Sequence, residues 1–394
     1  VGKIIALFFL TVVDPKAFFT TRAGSVVRQS SGYFAFVPTL SPLDLPLDHE
    51  VVLALSRADA ALGELSGLGR QLPNPHLLID PLVRREAVLS SQIEGTRATL
   101  TDIFLSEAGQ QEQGQADAAD VQEVLNYVGA LRHGLERLSE LPLSLRLVNE
   151  LHAKLMTGVR GNFATPGEFR RSQNWIGPAG STPVTAPYVP PPVDEMPRLL
   201  GAWENYLHVR DALPDLVQCA LMHEHFEAIH PYLDGNGRIG RLLITLFLVE
   251  RGRLSQPLLY LSDYIERHRA DYYRLLMRVR THGEWAEWIR FFLTGVEETA
   301  RDSLRRVRAL MDLRERLLRE DHGKGTPALI AQLFVRPSIT AIEAARVMGV
   351  SKPTATKVLL AMTRAGHLRE ITGRARSRAF VAQAILDGLE RTPA

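Results

Sequence analysis

The run His230-Pro231-Tyr232-Leu233-Asp234-Gly235-Asn236-Gly237-Arg238-Ile239-Gly240-Arg241 leaves the chain little choice of local structure. Gly235, Asn236 and Gly237 all tolerate positive φ, so the chain can turn tightly there with its N–H groups converging on one anion. The stretch from about Arg238 to Glu250 is strongly apolar and helical in pattern. A helix therefore starts where the turn ends, and its free N–H groups add positive potential at the same point. Arg238 and Arg241 stand three apart in the first helical turn and share a face. Two cations there oppose the helix dipole, which is tolerable when a polyanion such as triphosphate sits between them. Asp234 is a hard oxygen ligand beside this cradle and suits Mg²⁺. His230, ahead of the turn, is the candidate general base.

The rest of the chain reads as a helical protein of more than one domain. Its 394 residues exceed one ordinary core. A net charge of +2 argues neither for nor against nucleic acid, since a local basic patch could hide in it. The lone Cys219 excludes an intrachain disulfide and gives no sign of an oxidising compartment, so a cytoplasmic location is expected. Residues 1–31 carry no motif and read as a poorly structured leader; the apolar stretch Ile4–Val13 is too short to span a bilayer. Residues 32–140 are helical in pattern. Asp80 is expected to cap a helix with Pro81 in its first turn, and Gly95 to take the left-handed position after its end. A core follows over 141–313, interrupted at Gly177–Val193 by six prolines that forbid a helix or a central strand. Residues 313–326 read as a helix end plus linker. Over 326–385 the pattern is a winged helix-turn-helix: Thr340 caps Ala341–Met348, Gly349 turns, Ser351 caps a second helix, and a hairpin with Gly373 at its tip spans 368–381.

The run at His230 resembles the signature of the Fic family, His-x-Phe-x-Asp/Glu-Gly-Asn-Gly-Arg-x-x-Arg, with Tyr232 in place of Phe as the one departure. The resemblance implies a mainly α fold: a Fic-type helical core with a short β-hairpin flap, plus the C-terminal winged helix-turn-helix domain. It implies that the protein is an adenylyltransferase moving AMP from ATP to a Tyr, Thr or Ser hydroxyl of a protein, with pyrophosphate leaving. His230 would deprotonate the hydroxyl, and Asp234 would hold Mg²⁺ against the α- and β-phosphates. Gly235, Asn236 and Gly237 would cradle phosphates, with the Asn236 amide as an added donor. Arg238 would steady the β-phosphate and Arg241 the γ-phosphate.

A second match lies upstream. Ser90-Ser91-Gln92-Ile93-Glu94-Gly95 fits the family's inhibitory motif, Ser/Thr-x-x-x-Glu-Gly/Asn. Ser90 and Glu94 share a helical face, and Glu94 in a last turn needs a cationic partner. The resemblance names Arg241 as that partner, blocking the γ-phosphate position. It also places a target-docking flap at Tyr188 and Val189, working by strand pairing. It puts Tyr264 near the adenine, in the same region as Tyr272 and Tyr273. His223 and His225 point about 200° apart on a helix and read as packing residues rather than metal ligands. Expected partners are a target protein, another copy of the chain as target or dimer mate, and DNA. The DNA surface would combine Ser351, Lys352, Thr354 and Lys357 with Arg369, Arg374, Arg376 and Arg378. Two other functions fit the same residues: a DNA-binding regulator with a nucleotide-sensing site, and removal of AMP with Glu94 aligning a water.

Overall fold

The computed structural model describes residue 18 and residues 22–40, 45–72, 76–109, 114–159, 165–320, 323–372 and 378–390. Strands β1 (Gly24–Arg28) and β2 (Phe34–Pro38) form an antiparallel hairpin. Eight helices follow: α1 (His49–Gln71), α2 (His76–Ile93), α3 (Leu100–Glu107), α4 (Ala118–Arg137), α5 (Leu145–Leu155), α6 (Met196–Leu207), α7 (Asp215–Ile229) and α8 (Asn236–Glu250). Next come α9 (Ser262–Arg267), α10 (Arg269–His282) and α11 (Trp285–Arg319). The C-terminal part contains α12 (Thr326–Val335), β3 (Ser338–Thr340), α13 (Ala341–Met348), α14 (Lys352–Arg364), β4 (Arg369–Glu370), β5 (Ala379–Val381) and α15 (Gln383–Glu390). Here β5 lies between β3 and β4, antiparallel to both.

The core is built around α7 and α8. Every residue of α7 from Leu216 to Ile229 is buried, so this helix has no solvent face and is wrapped by its neighbours. The apolar side chains of α8 from Ile239 to Leu248 are buried too. Between them these helices bring His230 and the Gly-rich turn to one end of the core. Helix α11, with 35 residues and roughly 50 Å of length, runs along α1.

Several expectations are corrected. The supposed leader is ordered over residues 22–31, because β1 finds a partner in β2. Helix α2 starts at His76, so Asp80 is not its cap and Pro81 lies inside it. The hydrogen bond lost at Pro81 is offset by burial of Leu77, Leu78, Ile79, Leu82 and Val83 on either side. Helix α11 runs to Arg319, inside the stretch 313–326 expected as a helix end plus linker, and α15 extends the last region to Glu390, past the expected 385. The expected flap hairpin is a single bridge between Ile176 and Tyr188, since Pro187 and Pro190–Pro192 supply no backbone donors. The caps at Thr340, Gly349 and Ser351 are present as expected. Gly373, Arg374 and Arg376 lie outside the described residues.

Candidate active site

His230 ends α7 in the left-handed region, at φ 48°, a conformation that costs a non-glycine residue about 1–2 kcal/mol. Its carbonyl is held from two sides, by Arg170 Nε at 3.0 Å and Asn174 Nδ2 at 3.1 Å. Asn174 Nδ2 also donates to the Tyr232 carbonyl at 2.8 Å. Arg170 is fully buried and donates to the Pro191 carbonyl at 2.6 Å, tying the proline-rich segment to the His230 turn. Burial, with Arg170 and Arg280 nearby, pushes the His230 imidazole down to about 3, so the ring is neutral and able to accept a proton at physiological pH.

The turn after His230 is closed from within. Asn236 Oδ1 accepts from the Tyr232 N–H at 2.9 Å, and Asn236 Nδ2 donates to the Tyr232 carbonyl at 2.8 Å. The amide expected to reach phosphate is therefore occupied in shaping the loop. Gly235 adopts φ 80°, and a Cβ there would meet Met156 Sδ at 2.9 Å. Asp234 Oδ1 accepts from the Gly235 N–H at 2.7 Å, and its side chain remains 44% exposed toward the pocket. Arg238 is buried and pairs with Glu123 at 2.9 Å and with Asp234 at 3.8 Å.

Tyr232 is fully buried, and its hydroxyl donates to Asn149 Oδ1 at 2.6 Å. Its ring stacks on His152 at 3.7 Å and 9° between planes. His152 Nδ1 accepts the Gly167 N–H at 2.9 Å, which makes Nε2 the protonated nitrogen that donates to the Asp234 carbonyl at 3.1 Å. Burial pushes this ring down to about 4 and keeps it neutral. His152 thus fixes the far side of the Asp234 turn, a role its isolated position on an amphipathic helix did not announce.

Arg241 is buried and faces α2. Its Nε donates to Ser90 Oγ at 2.9 Å, and its Nη2 donates to the Ser90 carbonyl at 2.8 Å and to Glu94 Oε1 at 2.8 Å. Burial works against the Arg241 charge, yet Glu94 beside it, with Tyr272, holds the guanidinium above its ordinary value. Glu94 follows the last residue of α2, with Gly95 at φ 100° behind it. Its carboxylate lies against the Gly237 backbone, in space that a side chain at 237 would need. An anion thus already occupies the first turn of α8, where phosphate would be drawn.

These groups line one cavity of about 380 Å³: Glu94, Glu227, His230, Asp234, Gly235–Gly237 and Arg241, with Tyr272 and Tyr273 on one wall and Trp175–Pro178 on another. Glu227, which the sequence reading passed over, is buried; burial pushes its carboxyl up to about 7 while Arg241 pulls it back. Its spacing of three from His230 on one helix is the signal that could have found it. Tyr264 is not in the cavity. It packs on His268 and Phe291, so the expected nucleotide contact there is corrected to core packing. Tyr188 and Val189 are likewise spent: the Tyr188 hydroxyl donates to the Ala228 carbonyl at 2.7 Å, and the Val189 carbonyl accepts from the Phe36 N–H at 2.9 Å. Both are buried, so neither offers an edge for pairing with a target. His223 bridges the Gly240 carbonyl and the Tyr272 hydroxyl, at 3.0 and 2.9 Å, and His225 is buried between Tyr206 and Trp285. Both are packing residues, as read.

The Fic/DOC family N-terminal pattern matches residues 52–136, and the Fic/DOC family pattern matches residues 142–248, which contain the entire His230–Arg241 run. The chain belongs to the Fic/DOC family. Among similar proteins, a probable protein adenylyltransferase of Aquifex aeolicus is 26% identical over 193 residues, 48% of this chain and 54% of that protein. Protein adenylyltransferase Fic of Drosophila grimshawi is 28% identical over 164 residues, 41% of this chain and 30% of that protein. The chain therefore spans about half the length of the first relative and under a third of the second. Among solved structures, a Fic family protein from Desulfovibrio desulfuricans matches 86% of this chain and 97% of its own, with a TM-score of 0.57 at 20% identity. Fic-1 from C. elegans matches 64% and 73%, with a TM-score of 0.51 at 18% identity. These likenesses establish the mainly helical Fic fold.

The Fic cavity fits a magnesium-bound polyphosphate better than a metal alone. Among the described residues no cluster of three or more His, Cys, Asp or Glu is arranged to hold a metal ion. Asp234 is a single half-exposed carboxylate beside an anion cradle, which suits an ion that keeps most of its ligands on phosphate oxygens and water.

Proposed function

We propose that this protein transfers AMP from ATP to a hydroxyl of a protein substrate and that Glu94 holds the activity low. The observation that carries the reading is the convergence of His230, Asp234, the Gly235–Gly237 turn and Arg241 on one cavity, with a carboxylate from α2 lodged in it. The relatives named as protein adenylyltransferases support the same chemistry.

The neutral His230 ring takes the proton of the incoming hydroxyl, whose oxygen attacks the α-phosphorus as pyrophosphate departs. Backbone N–H groups of the turn and of the first turn of α8 receive phosphate oxygens. Asp234 would hold Mg²⁺, which supplies charge neutralisation on the polyphosphate. Arg241 would take the terminal phosphate once Glu94 leaves. While Glu94 is in place, its negative charge and bulk occupy that position. For the C-terminal region the arrangement of α13, α14 and the β3–β5–β4 sheet supports a winged helix. Exposed Lys352, Thr354 and Lys357 on α14 make duplex DNA the first ligand to try there.

The deciding experiment follows α-³²P from ATP into protein with Mg²⁺ present. Wild type is expected to label weakly, Glu94→Gly on the order of tenfold or more above it, in keeping with the coupling energies typical of such switches. The double change Glu94→Gly, His230→Ala should label no more than background. Equal labelling in all three proteins would reject both the transfer and the inhibition.

A further inference from the structure

We propose that Glu227 is the positioning residue for His230: its carboxylate receives the Nδ1–H, leaving Nε2 as the lone-pair nitrogen turned to the target hydroxyl. The two side chains leave the same end of α7 three residues apart, and His230 Nδ1 stands 3.8 Å from Glu227 Oε2. The nitrogen side of this gap is unsatisfied. His230 Nδ1 is buried without a hydrogen-bond partner, and so are Oε1, the second carboxylate oxygen of Glu227, and Arg280 Nη2. A buried donor left without an acceptor is costly, so a carboxylate oxygen one small movement from Nδ1 marks a contact able to complete. Closing the gap to hydrogen-bond distance takes roughly 1 Å.

The surroundings favour this pairing. Arg241 on α8 is committed to Ser90 and Glu94, and Arg280 Nε on α10 is committed to Glu224 at 3.0 Å. Both cations thus have carboxylate partners of their own, while Glu227 Oε2 lies toward His230. Gly240 on α8 makes room: a Cβ there would come within 2.7 Å of Glu227 Oε1. The His230 backbone cannot swing away, because Arg170 and Asn174 pin its carbonyl. The Glu227 main-chain carbonyl also faces the ring and favours its charged form, so carboxylate and carbonyl act on the imidazole in the same sense.

In the reaction the target O–H bond breaks and its proton goes to Nε2. The oxygen forms its bond to the α-phosphorus while the bond to the bridging oxygen breaks, and pyrophosphate leaves with that electron pair. The imidazolium formed at His230 then has the Glu227 carboxylate at its other nitrogen, as the orienting acid of a hydrolase triad does.

This role rests on the transfer reading for its kinetic arm only, so two measurements are made. In the full chain with ¹⁵N-ring-labelled histidine, the His230 signals, assigned by their loss in His230→Ala, are expected to show the Nδ1–H tautomer. In Glu227→Gln the ratio should move toward Nε2–H. An unchanged ratio overturns the proposal, since the main-chain carbonyl would then suffice. In the Glu94→Gly background, Glu227→Gln should lower the single-turnover labelling rate on the order of 10²-fold, with KM for ATP within about twofold and partial recovery in Glu227→Asp. A raised KM at unchanged rate overturns it by assigning Glu227 to nucleotide binding. If Glu94→Gly alone fails to label, the transfer reading has failed, and the tautomer measurement still decides Glu227.

Discussion

At the scale of single residues, the one departure from the family signature is also the best explained. Tyr232 replaces an apolar anchor with a phenol, and the fold supplies Asn149 Oδ1 for its hydroxyl at 2.6 Å. A buried hydroxyl without such a partner would have been costly. Tyr232→Phe should keep the ring stacked on His152 and lose only that bond. The expected change is about 1 kcal/mol in urea unfolding, because Asn149 is partly exposed and water can replace the phenol. A loss above about 3 kcal/mol would show that the hydroxyl orders more than its own neighbour.

At the scale of elements, α2 is a strut held at two points. One end carries Ser90 and Glu94 to Arg241. Its middle carries Arg84, whose Nε reaches both Glu107 carboxylate oxygens at 2.9 Å and whose Nη1 donates to the Asp80 carbonyl at 2.8 Å. Glu107 in turn ends α3, where its carbonyl accepts from Arg336 at 3.0 Å and the Phe104 carbonyl accepts from Ser338 Oγ at 2.8 Å. The C-terminal region is thus fastened to the helix that enters the cavity. Arg84→Ala should cost about 3 kcal/mol, in the range for breaking one side of a buried pair. A double-mutant cycle with Glu107→Ala should return a coupling above about 1 kcal/mol. Additive losses would mean that Arg84 acts through packing alone.

At the scale of the whole molecule, buried ionisable groups set the response to acid. Burial pushes His152 down to about 4, and His223, His225 and His230 to about 3. Each ring stays neutral in the fold while its unfolded counterpart gains a proton near pH 6.5. Their contribution is complete above that pH and drains away as pH falls toward 3–4. Burial pushes Glu86 and Glu227 the other way, to about 7, so they bind protons more tightly when folded and oppose the rings between roughly pH 4.5 and 7. Below about pH 4.5 that opposition ends. Unfolding in urea should therefore show stability lower at pH 5 than at 6.5 and falling more steeply between 4.5 and 3.5. A flat profile across the lower window would mean that the four rings are solvated. No helix among the described residues is long and apolar enough to cross a membrane.

Local chemistry alone determined the turn and helix at 230–250. Gly235 allows the φ of 80° that the turn takes, and the apolar run behind it favours a helix, so the turn and helix start were legible before any fold was known. The caps at Thr340, Gly349 and Ser351 were legible for the same reason. The pairing of Ser90 and Glu94 with Arg241 was an expectation of resemblance, because 147 residues separate Glu94 from the arginine and only packing sets their distance at 2.8 Å. Tertiary structure alone decided the rest. Asn236 turned inward because its amide matched the Tyr232 backbone, and Tyr188, Val189 and Tyr264 were buried because neighbouring elements covered them. Pro81 was carried inside α2 because flanking apolar side chains offset its missing hydrogen bond. Local preference fixes how a short segment bends; the surface that segment meets fixes which of its atoms remain free to act.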